Sequence, residues 1–161
     1  MYWIEGPWSG RLAIVPRPRG GDWLKEEVRS WRDHGLDEMV SLLTPDEVTE
    51  FELDQEGRWC RAHGIRFRSF AIPDRGVPAS VDGFTHLVQE IERALSAGKK
   101  IGLHCRQGIG RSALVAAVLL VSAGDAPETV WESIGKARGC SVPETIEQRN
   151  WVKGFAKAHQ T

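Results

Sequence analysis

Cysteines and long hydrophobic runs are both scarce in this sequence of 161 residues. Its three cysteines have no regular spacing, and their odd number argues against a disulfide framework and favours a reducing compartment. The longest apolar run, Ala113 to Val121, is too short to cross a lipid bilayer. The first residues also lack the basic and apolar regions of a signal peptide. We therefore expect a cytoplasmic protein.

An excess of charge is equally absent, since 21 basic and 22 acidic residues leave a formal net charge of -1. Such a chain has no general attraction for nucleic acid or for an anionic membrane, so we expect neither as a partner. The five histidines have no metal-ligand spacing, and we expect neither a metal nor an organic cofactor. The absence of repeats, low-complexity tracts and linkers predicts a single domain over residues 1–161. The sequence does not indicate an oligomeric state.

Strand-like and helical segments alternate along the chain. Strands are predicted at Arg11 to Val15, Glu38 to Leu43, Ile65 to Phe70 and Ile101 to Leu103. Helices are predicted from Asp22 as an N-cap to His34, from the capping box at Thr44 towards His63, over Ser80 to Ala97, over Ser112 to Ala123, and in later pieces of which the last begins near Pro143. This alternation predicts an α/β fold in which a central, mainly parallel sheet is covered by helices on both faces.

The most informative segment runs from His104 to Ser112, with the sequence HCRQGIGRS. It lies between a buried strand and an apolar helix, so it is predicted to be a turn at the carboxyl end of the sheet, where α/β proteins usually bind ligands. The first amides of a helix have no intrahelical acceptor and carry partial positive charge, which favours a bound phosphate. Gly108 and Gly110 allow successive amides to turn inward around the phosphate oxygens.

The same segment carries a nucleophile and a fixed cation. The loop amides favour the thiolate of Cys105, which is the reactive form of a cysteine. The planar guanidinium of Arg111 can bind two phosphate oxygens at once, as a lysine could not. A buried structural cysteine is the alternative, but it leaves the arginine at the start of a buried helix without a reason. The predicted phosphate-binding residues are Arg106, Gln107, Gly108, Ile109, Gly110 and Arg111.

The segment matches every fixed position of the HC-x5-R-[ST] signature, so the chain resembles the cysteine-dependent protein tyrosine phosphatase superfamily. A second stretch, Pro73 to Pro78, reads PDRGVP and is similar to the PDxGVP form of the small dual-specificity-like branch, which includes the cyclin-dependent-kinase-associated phosphatases. The resemblance is strong from about Ile65 to Ala123 and general elsewhere. It implies a protein-tyrosine-phosphatase-like fold and phosphate hydrolysis through a phosphocysteine intermediate.

Asp74 is the predicted general acid. Displacement of an oxygen from phosphorus is faster when an acid protonates that oxygen as it leaves. In the family that this chain resembles, an aspartate on a mobile loop before the cysteine has this role. Asp74 lies in an irregular loop with two prolines and a glycine. The alternatives are that this aspartate merely shapes a turn, or that Asp82 is the acid. Asp82 falls in the first turn of the next predicted helix, where acidic residues are common.

The resemblance also implies roles for two neighbours of Cys105 in a two-step reaction. Cys105 would attack phosphorus while Asp74 protonates the leaving oxygen, and water would then attack the phosphocysteine with Asp74 as base. Ser112 is expected to donate a hydrogen bond to the sulfur and to matter most when the thiolate leaves. His104 is expected to fix the loop and tune the thiol, a role that differs little from that of a hydrogen-bonded core histidine.

Gln148 lies with Val152 and Phe155 on the apolar stripe of the last predicted helix. Some tyrosine phosphatases use a glutamine in a comparable position to hold the attacking water, and the resemblance implies that role here. The alternatives are an interior amide with satisfied hydrogen bonds and a position at the rim of the pocket.

Four arginines are candidate substrate contacts. Arg75 and Arg106 flank the predicted acid and nucleophile, whereas Arg17 and Arg19 lie in a turn-rich loop after the first predicted strand. The alternative for the last two is that they are solvated surface residues.

The substrate class is the property that the sequence determines least. The short chain has no separate tyrosine-recognition segment, which favours a dual-specificity-like phosphoprotein phosphatase acting on phosphotyrosine, with phosphoserine and phosphothreonine as further candidates. The expected partner is a phosphorylated protein or peptide. Alternative substrates are a phosphoinositide, which Gln107 and Ile109 disfavour because lipid-directed relatives often have lysines in this loop, and an RNA 5′-triphosphate. A non-catalytic phosphoprotein-binding module is a further alternative, although Cys105, Arg111 and Asp74 are all present.

Overall fold

The computed structural model describes residues 1–159, which form a sheet of strands connected by helices. The strands are β1 (Tyr2–Ile4), β2 (Arg11–Ile14), β3 (Glu38–Ser41), β4 (Arg66–Ser69) and β5 (Lys100–His104). The helices are α1 (Leu24–Asp33), α2 (Pro45–Glu50), α3 (Glu56–Ala62), α4 (Val81–Ser96), α5 (Arg111–Ser122), α6 (Val130–Arg138) and α7 (Ile146–Ala158). Among these helices, none combines the length and the apolar character that a membrane span needs.

The strands form one mixed sheet in the order β1-β2-β5-β3-β4. Strands β2, β5, β3 and β4 run parallel to one another, and β1 pairs antiparallel with β2 at one edge. Parallel strands end at the same edge of a sheet, so the segments that follow β2, β3, β4 and β5 lie side by side there. The predicted α/β fold with a mainly parallel sheet is therefore confirmed. The short edge strand β1 was not predicted.

Successive residues of the strands point into two different cores, one on each face of the sheet. Leu12 and Ile14 of β2 belong to the core that α4, α5, α6 and α7 cover, whereas Ala13 and Val15 belong to the core on the side of α1 and α3. Helix α5 is the most deeply placed, because every residue from Ala113 to Leu120 is buried. The helix is buried because its sequence is uniformly apolar. Its packing in turn holds the residues of its first turn in place.

Two predicted helix starts differ from the structure. Asp22 is not an N-cap: it lies in a 3-10 turn, Gly21–Trp23, and α1 begins at Leu24 without a side-chain cap. The last helix begins at Ile146 rather than near Pro143, because the hydroxyl of Thr145 caps it.

The helix predicted from Thr44 towards His63 is in fact two helices. The capping box between Thr44 and Glu47 is present, with proline at the first helical position. The chain leaves the helix after Glu50, and Glu52 adopts a left-handed conformation with φ of 54°. Helix α3 then starts at Glu56. This break places two acidic residues, Glu47 and Glu56, on separate short helices beside the end of the sheet.

Candidate active site

The segment between β5 and α5, here called the Cys105 loop (residues 105–110), surrounds a buried sulfur. Cys105 follows the strand directly, and 3% of the residue is exposed. The backbone amide of Gly108 donates a hydrogen bond to Sγ, with an N···S distance of 3.2 Å. Gly110 is the N-cap of α5. Because glycine has no side chain, the first amides of the helix stay available to a bound anion. The predicted strand-to-helix turn is confirmed.

Two glycines allow this loop to pack closely. Gly108 has φ of 71°, in the left-handed region that a Cβ strains. A Cβ at Gly108 would also lie 3.1 Å from Cγ2 of Ile14, and a Cβ at Gly110 would lie 2.8 Å from Nε2 of Gln148. The loop can therefore contact the sheet on one side and α7 on the other because both positions lack a side chain.

The guanidinium of Arg111 is held by the buried carboxylate of Glu47. Nη1 of Arg111 lies 2.6 Å from Oε1 of Glu47, and Nη2 lies 2.9 Å from Oε2, so the ion pair is bidentate. Nη1 also donates to the carbonyl oxygen of Ile72 at 2.8 Å and to that of Leu42 at 3.4 Å. Only 1% of the Arg111 side chain is exposed. The arrangement holds the cation in one orientation at the start of α5.

This ion pair keeps both of its members charged. Burial opposes ionisation of Glu47, but hydrogen bonds from Arg111 and Thr44, together with the positive charge of Arg111, lower the pKa of Glu47 from 4.5 to about 2. Burial also opposes the charged form of Arg111. The hydrogen bond to Glu47 and the negative charges of Cys105, Glu47 and Asp74 outweigh that effect and raise the pKa of Arg111. The site therefore has a permanent cation near the sulfur.

The predicted acid, Asp74, contacts the same guanidinium from another side. Its Oδ1 lies 3.2 Å from Nη2 of Arg111, and 45% of its side chain is exposed, whereas that of Glu47 is nearly buried. Glu47 thus faces the interior and Asp74 faces solvent. The structure brings the predicted acid and the predicted phosphate-binding arginine together. Asp82 lies in the first turn of α4, behind the N-cap Ser80, as the sequence predicted.

Gln148 joins α7 to the irregular segment that carries Asp74, here called the Asp74 loop (residues 71–80). Its Nε2 donates to the carbonyl oxygen of Gly76 at 3.0 Å. Its Oε1 accepts hydrogen bonds from the amides of Glu144 and Thr145, each at 3.2 Å. Gln148 is fully buried beside the Cys105 loop. In this structure it is an interior amide with satisfied hydrogen bonds, as one alternative predicted. Its role in holding water stays a prediction.

Ser112 and His104 are both buried on either side of the Cys105 loop. Within residues 1–159, the hydroxyl of Ser112 has no hydrogen-bond partner, so the predicted bond to the sulfur of Cys105 is absent from this structure. Nε2 of His104 lies 2.6 Å from Oε2 of Glu56. Its ring lies 6.1 Å from that of Trp31, in the core on the α1 side. His104 thus ties the end of β5 to α3.

The candidate substrate arginines lie in three different places. Arg17 and Arg106 share one aromatic ring, with Cζ atoms 3.6 and 4.8 Å from the centroid of Phe51. The structure therefore brings these two together next to the Cys105 loop.

The other two arginines pair elsewhere. Arg19 is exposed and forms an ion pair with Glu27. Arg75, also exposed, lies 3.6 Å from Glu144, between the Asp74 loop and the segment before α7.

Sequence reasoning missed three residues that hold the Cys105 loop and Arg111. Glu47 was recognised as a capping residue, but not as the partner of Arg111. Glu56, the partner of His104, and Arg138 carried no pattern at all. Arg138 donates from Nη2 to the carbonyl oxygen of Gln107 at 2.9 Å and from Nε to that of Gly108 at 3.2 Å. Glu47 lies in the polar run Thr44 to Glu50, so its sequence neighbours gave no sign that its carboxylate is buried.

The chain matches a known protein family over most of its length. The family described as "Polymorphic toxin system, DSP-PTPase phosphatase" matches residues 15–125, which is more than half of the chain. The chain belongs to this family of dual-specificity-like protein tyrosine phosphatases. The match to this DSP-PTPase family includes the Asp74 loop and the Cys105 loop, and it ends before Gln148. The resemblance inferred from the signature is confirmed.

Individual relatives of this DSP-PTPase agree with that result. The chain is 26% identical over 134 residues to cyclin-dependent kinase inhibitor 3 of Rattus norvegicus. The aligned region covers 82% of this chain and 63% of that protein. The chain thus spans less than two-thirds of the length of this curated relative.

Two solved structures share the fold. The crystal structure of kinase associated phosphatase, with its catalytic-site cysteine substituted by serine, has a TM-score of 0.88 at 23% identity and covers 99% of this chain and 96% of that chain. The crystal structure of Tk-PTP in the active form has a TM-score of 0.72 at 25% identity and covers 97% of each chain. The predicted protein-tyrosine-phosphatase-like fold is therefore confirmed.

Proposed function

We propose that this DSP-PTPase is a phosphoprotein phosphatase that hydrolyses phosphotyrosine through a phosphocysteine intermediate, with phosphoserine and phosphothreonine as further substrates. One observation carries the proposal: a nucleophile, a cation and an acid converge at the carboxyl end of the sheet. Sγ of Cys105 accepts a hydrogen bond from the amide of Gly108 at 3.2 Å. The guanidinium of Arg111 contacts both Glu47 and Asp74. These are the groups that phosphoryl transfer to a cysteine needs.

In the first step, the thiolate of Cys105 attacks phosphorus. An S–P bond forms as the P–O bond to the tyrosine breaks, and Asp74, in its acid form, gives its proton to the departing phenolic oxygen. The contact between Asp74 and Arg111 supports this role, because a phosphate bound to the guanidinium would lie next to the carboxyl group.

In the second step, water attacks the phosphocysteine. Asp74 accepts a proton from the water, an O–P bond forms, and the S–P bond breaks to return the thiolate and release inorganic phosphate. Ser112 would help this step by donating a hydrogen bond to the departing sulfur, and its buried hydroxyl has no other hydrogen-bond partner within residues 1–159.

Arg111 and the loop amides would stabilise the charge of the transferring phosphoryl group in both steps. Such stabilisation is effective when the donors are already oriented before the substrate binds. The bidentate bond to Glu47 and the carbonyl of Ile72 provide that orientation for Arg111. Arg106, Gln107, Gly108, Ile109 and Gly110 would contribute their backbone to the same phosphate site.

The proposed partner is a phosphorylated protein. Two similar proteins, cyclin-dependent kinase inhibitor 3 and kinase associated phosphatase, both have names that refer to kinases, which supports a protein substrate for this chain. We also infer that residues 1–161 form one dual-specificity-like domain, and the single sheet with strands from both halves of the described chain supports this. A cytoplasmic location stays a prediction.

Substrate trapping tests the proposal against a binding module. The variant Asp74→Ala is expected to bind a phosphotyrosine peptide as wild type does, while its turnover falls by about a hundredfold or more, since general acid catalysis is worth that much. Asp82→Ala is the matched control and should keep turnover. The rate of phosphate release is measured on one peptide sequence carrying phosphotyrosine, phosphothreonine or phosphoserine, and on a phosphoinositide. Wild-type protein that binds the peptides without releasing phosphate would indicate a binding module.

A further inference from the structure

The outer face of the Cys105 loop is bonded to one arginine, Arg138, at the last residue of α6. Its two hydrogen bonds run to the carbonyl oxygens of Gln107 and Gly108, at 2.9 and 3.2 Å. Both peptide units are trans, so the carbonyl and amide of each unit point in opposite directions. The amides of Gly108 and Ile109 therefore point away from Arg138, towards the inside of the loop.

One of these peptide units also contacts the nucleophile. The carbonyl of Gln107 and the amide of Gly108 belong to the same planar unit. The carbonyl accepts from Nη2 of Arg138, and the amide donates to Sγ of Cys105. A cation on the carbonyl polarises the unit and strengthens the donor at its other end, because hydrogen bonds in series reinforce one another in a low-dielectric interior. Arg138 and the sulfur are thus connected through a single peptide unit.

We propose that Arg138 is a positioning residue that stabilises the thiolate of Cys105 through the peptide unit between Gln107 and Gly108. The inference rests on the proposed function, in which that thiolate is the nucleophile. Arg138 acts from behind the loop and does not reach the sulfur directly. It orients the inward amides and makes one of them a stronger donor to the sulfur.

The side chain of Arg138 is itself supported by the edge strand β1. Its Cζ lies 4.3 Å from the centroid of the Tyr2 ring, a cation–π contact. The ring keeps the plane of the guanidinium fixed while both hydrogen bonds form. A Cβ at Gly108 would lie 3.4 Å from Nε of Arg138, so the glycine permits this close approach. The edge strand therefore connects to the Cys105 loop through one side chain.

Replacing Arg138 leaves the other charged or titratable groups around Cys105 with their partners. These groups come from β5, α2, α3, α5, the Asp74 loop and the Cys105 loop itself, and each pair is bonded independently of α6. They are Arg111 with Glu47 and Asp74, His104 with Glu56, and Arg106 with Glu50. A change in thiolate reactivity can therefore be assigned to Arg138 alone.

The test is the rate at which iodoacetamide alkylates Cys105 between about pH 5 and pH 9, because the thiolate is the form that reacts. Mass spectrometry of the peptide that contains Cys105 separates this reaction from that of the other cysteines. In Arg138→Met, the rate at the acid end is expected to fall by about threefold to tenfold, and to approach the wild-type rate at the alkaline end. Arg138→Lys should recover part of the loss, because lysine keeps the charge but cannot form both bonds.

Arg149 on α7 offers a matched control. Its guanidinium lies over the ring of Trp131 at 5.6 Å and donates to the carbonyl oxygen of Val142 at 3.4 Å, so it has similar contacts without touching the Cys105 loop. Arg149→Met should give the wild-type alkylation profile. If Arg138→Met does not fold, Tyr2→Leu replaces it, and its acid-end rate should fall more than that of Tyr2→Phe, which keeps the ring.

Two results would overturn the inference. The alkylation profile of Arg138→Met could coincide with that of wild type, or its rate could fall by the same factor at every pH, which would indicate a structural effect on access. Alkylation does not require phosphatase activity, so a wild-type protein that fails to release phosphate would refute the proposed function without hiding the effect of Arg138.

Discussion

Glu47 and Arg111 form a buried, bidentate ion pair with N···O distances of 2.6 and 2.9 Å. The same carboxylate accepts a hydrogen bond from the amide of Thr44 at 3.0 Å and thereby caps α2. One side chain thus joins the N-cap of α2 to the first turn of α5. The orientation of the proposed phosphate-binding cation consequently depends on a residue that need not touch the substrate.

Removing the charge of Glu47 should affect both stability and turnover. Glu47→Gln leaves Arg111 buried without its counter-charge, which is expected to cost about 3 to 5 kcal/mol of unfolding free energy. We expect turnover to fall by about tenfold to a hundredfold, because the guanidinium loses its orientation. Urea unfolding and steady-state hydrolysis measure the two effects.

Glu50→Gln provides the control for that variant. Glu50 lies on the same helix and pairs with the half-buried Arg106 at 3.3 Å, with 53% of the Glu50 side chain exposed. Its loss should cost less than about 1 kcal/mol. Equal effects of the two variants would contradict the special role of Glu47.

The stability of the protein should fall in acid because of this same carboxylate. The pKa of Glu47 is about 2 in the folded protein and 4.5 ordinarily, so folding favours its ionised form. The stabilisation is complete above about pH 4.5 and is lost as the pH falls towards 2, a total of about 3 kcal/mol. Urea unfolding at several pH values should show the difference between wild type and Glu47→Gln shrinking in that window. A constant difference would count against this explanation.

Gln148→Leu should release the Asp74 loop. It leaves the carbonyl of Gly76 and two amides before α7 without their partner, at a cost of about 1 to 3 kcal/mol for each group that stays buried. Turnover should fall more for an alkyl phosphate than for an aryl phosphate, because a poor leaving group depends more on Asp74.

The ion pair between the exposed Arg75 and the largely buried Glu144 gives the stability control for Gln148→Leu. Arg75→Ala should change the unfolding free energy by less than about 1 kcal/mol. If Gln148→Leu slowed both classes of substrate by the same factor, Gln148 would not act through the acid.

Ser112→Ala should separate the two chemical steps. The hydroxyl has no partner within the described residues, and we propose that it donates a hydrogen bond to the sulfur when the thiolate leaves phosphorus. We expect the variant to slow breakdown of the phosphocysteine more than its formation. Rapid-mixing kinetics with para-nitrophenyl phosphate should then show a larger burst of nitrophenol than wild type gives. Equal slowing of both steps would show that Ser112 does not assist the departure of the thiolate.

The sequence predicted the parts of the fold that local pattern determines. The parallel strands, the apolar helix α5, the turn at Cys105 and the capping box at Thr44 follow from periodicity, glycine positions and capping residues that lie close together in the chain. Asp74 was assigned through the resemblance of PDRGVP to the family's PDxGVP stretch, and in the structure its loop follows β4, which ends at the same edge of the sheet as β5.

Long-range pairing explains what the sequence did not predict. Glu47 and Arg111 are 64 residues apart, and His104 and Glu56 are 48 residues apart, so no local pattern indicates either pair. The edge strand β1 is short, with a single buried residue, Ile4, and has no alternation to detect. Arg138 lies in the last turn of a helix, where basic residues are common, and its contact with the Cys105 loop depends on how α6 packs.

Hydrolysis of para-nitrophenyl phosphate by wild type and Cys105→Ser across pH, without added metal, is the decisive test of the thiolate mechanism. Cys60→Ala is the control, because burial, followed by the charge of Glu56, raises the pKa of Cys60 to about 12 and leaves that thiol protonated. We predict hydrolysis by wild type and Cys60→Ala, and its loss in Cys105→Ser. Hydrolysis that survives in Cys105→Ser, or none in the wild type, would contradict the thiolate mechanism.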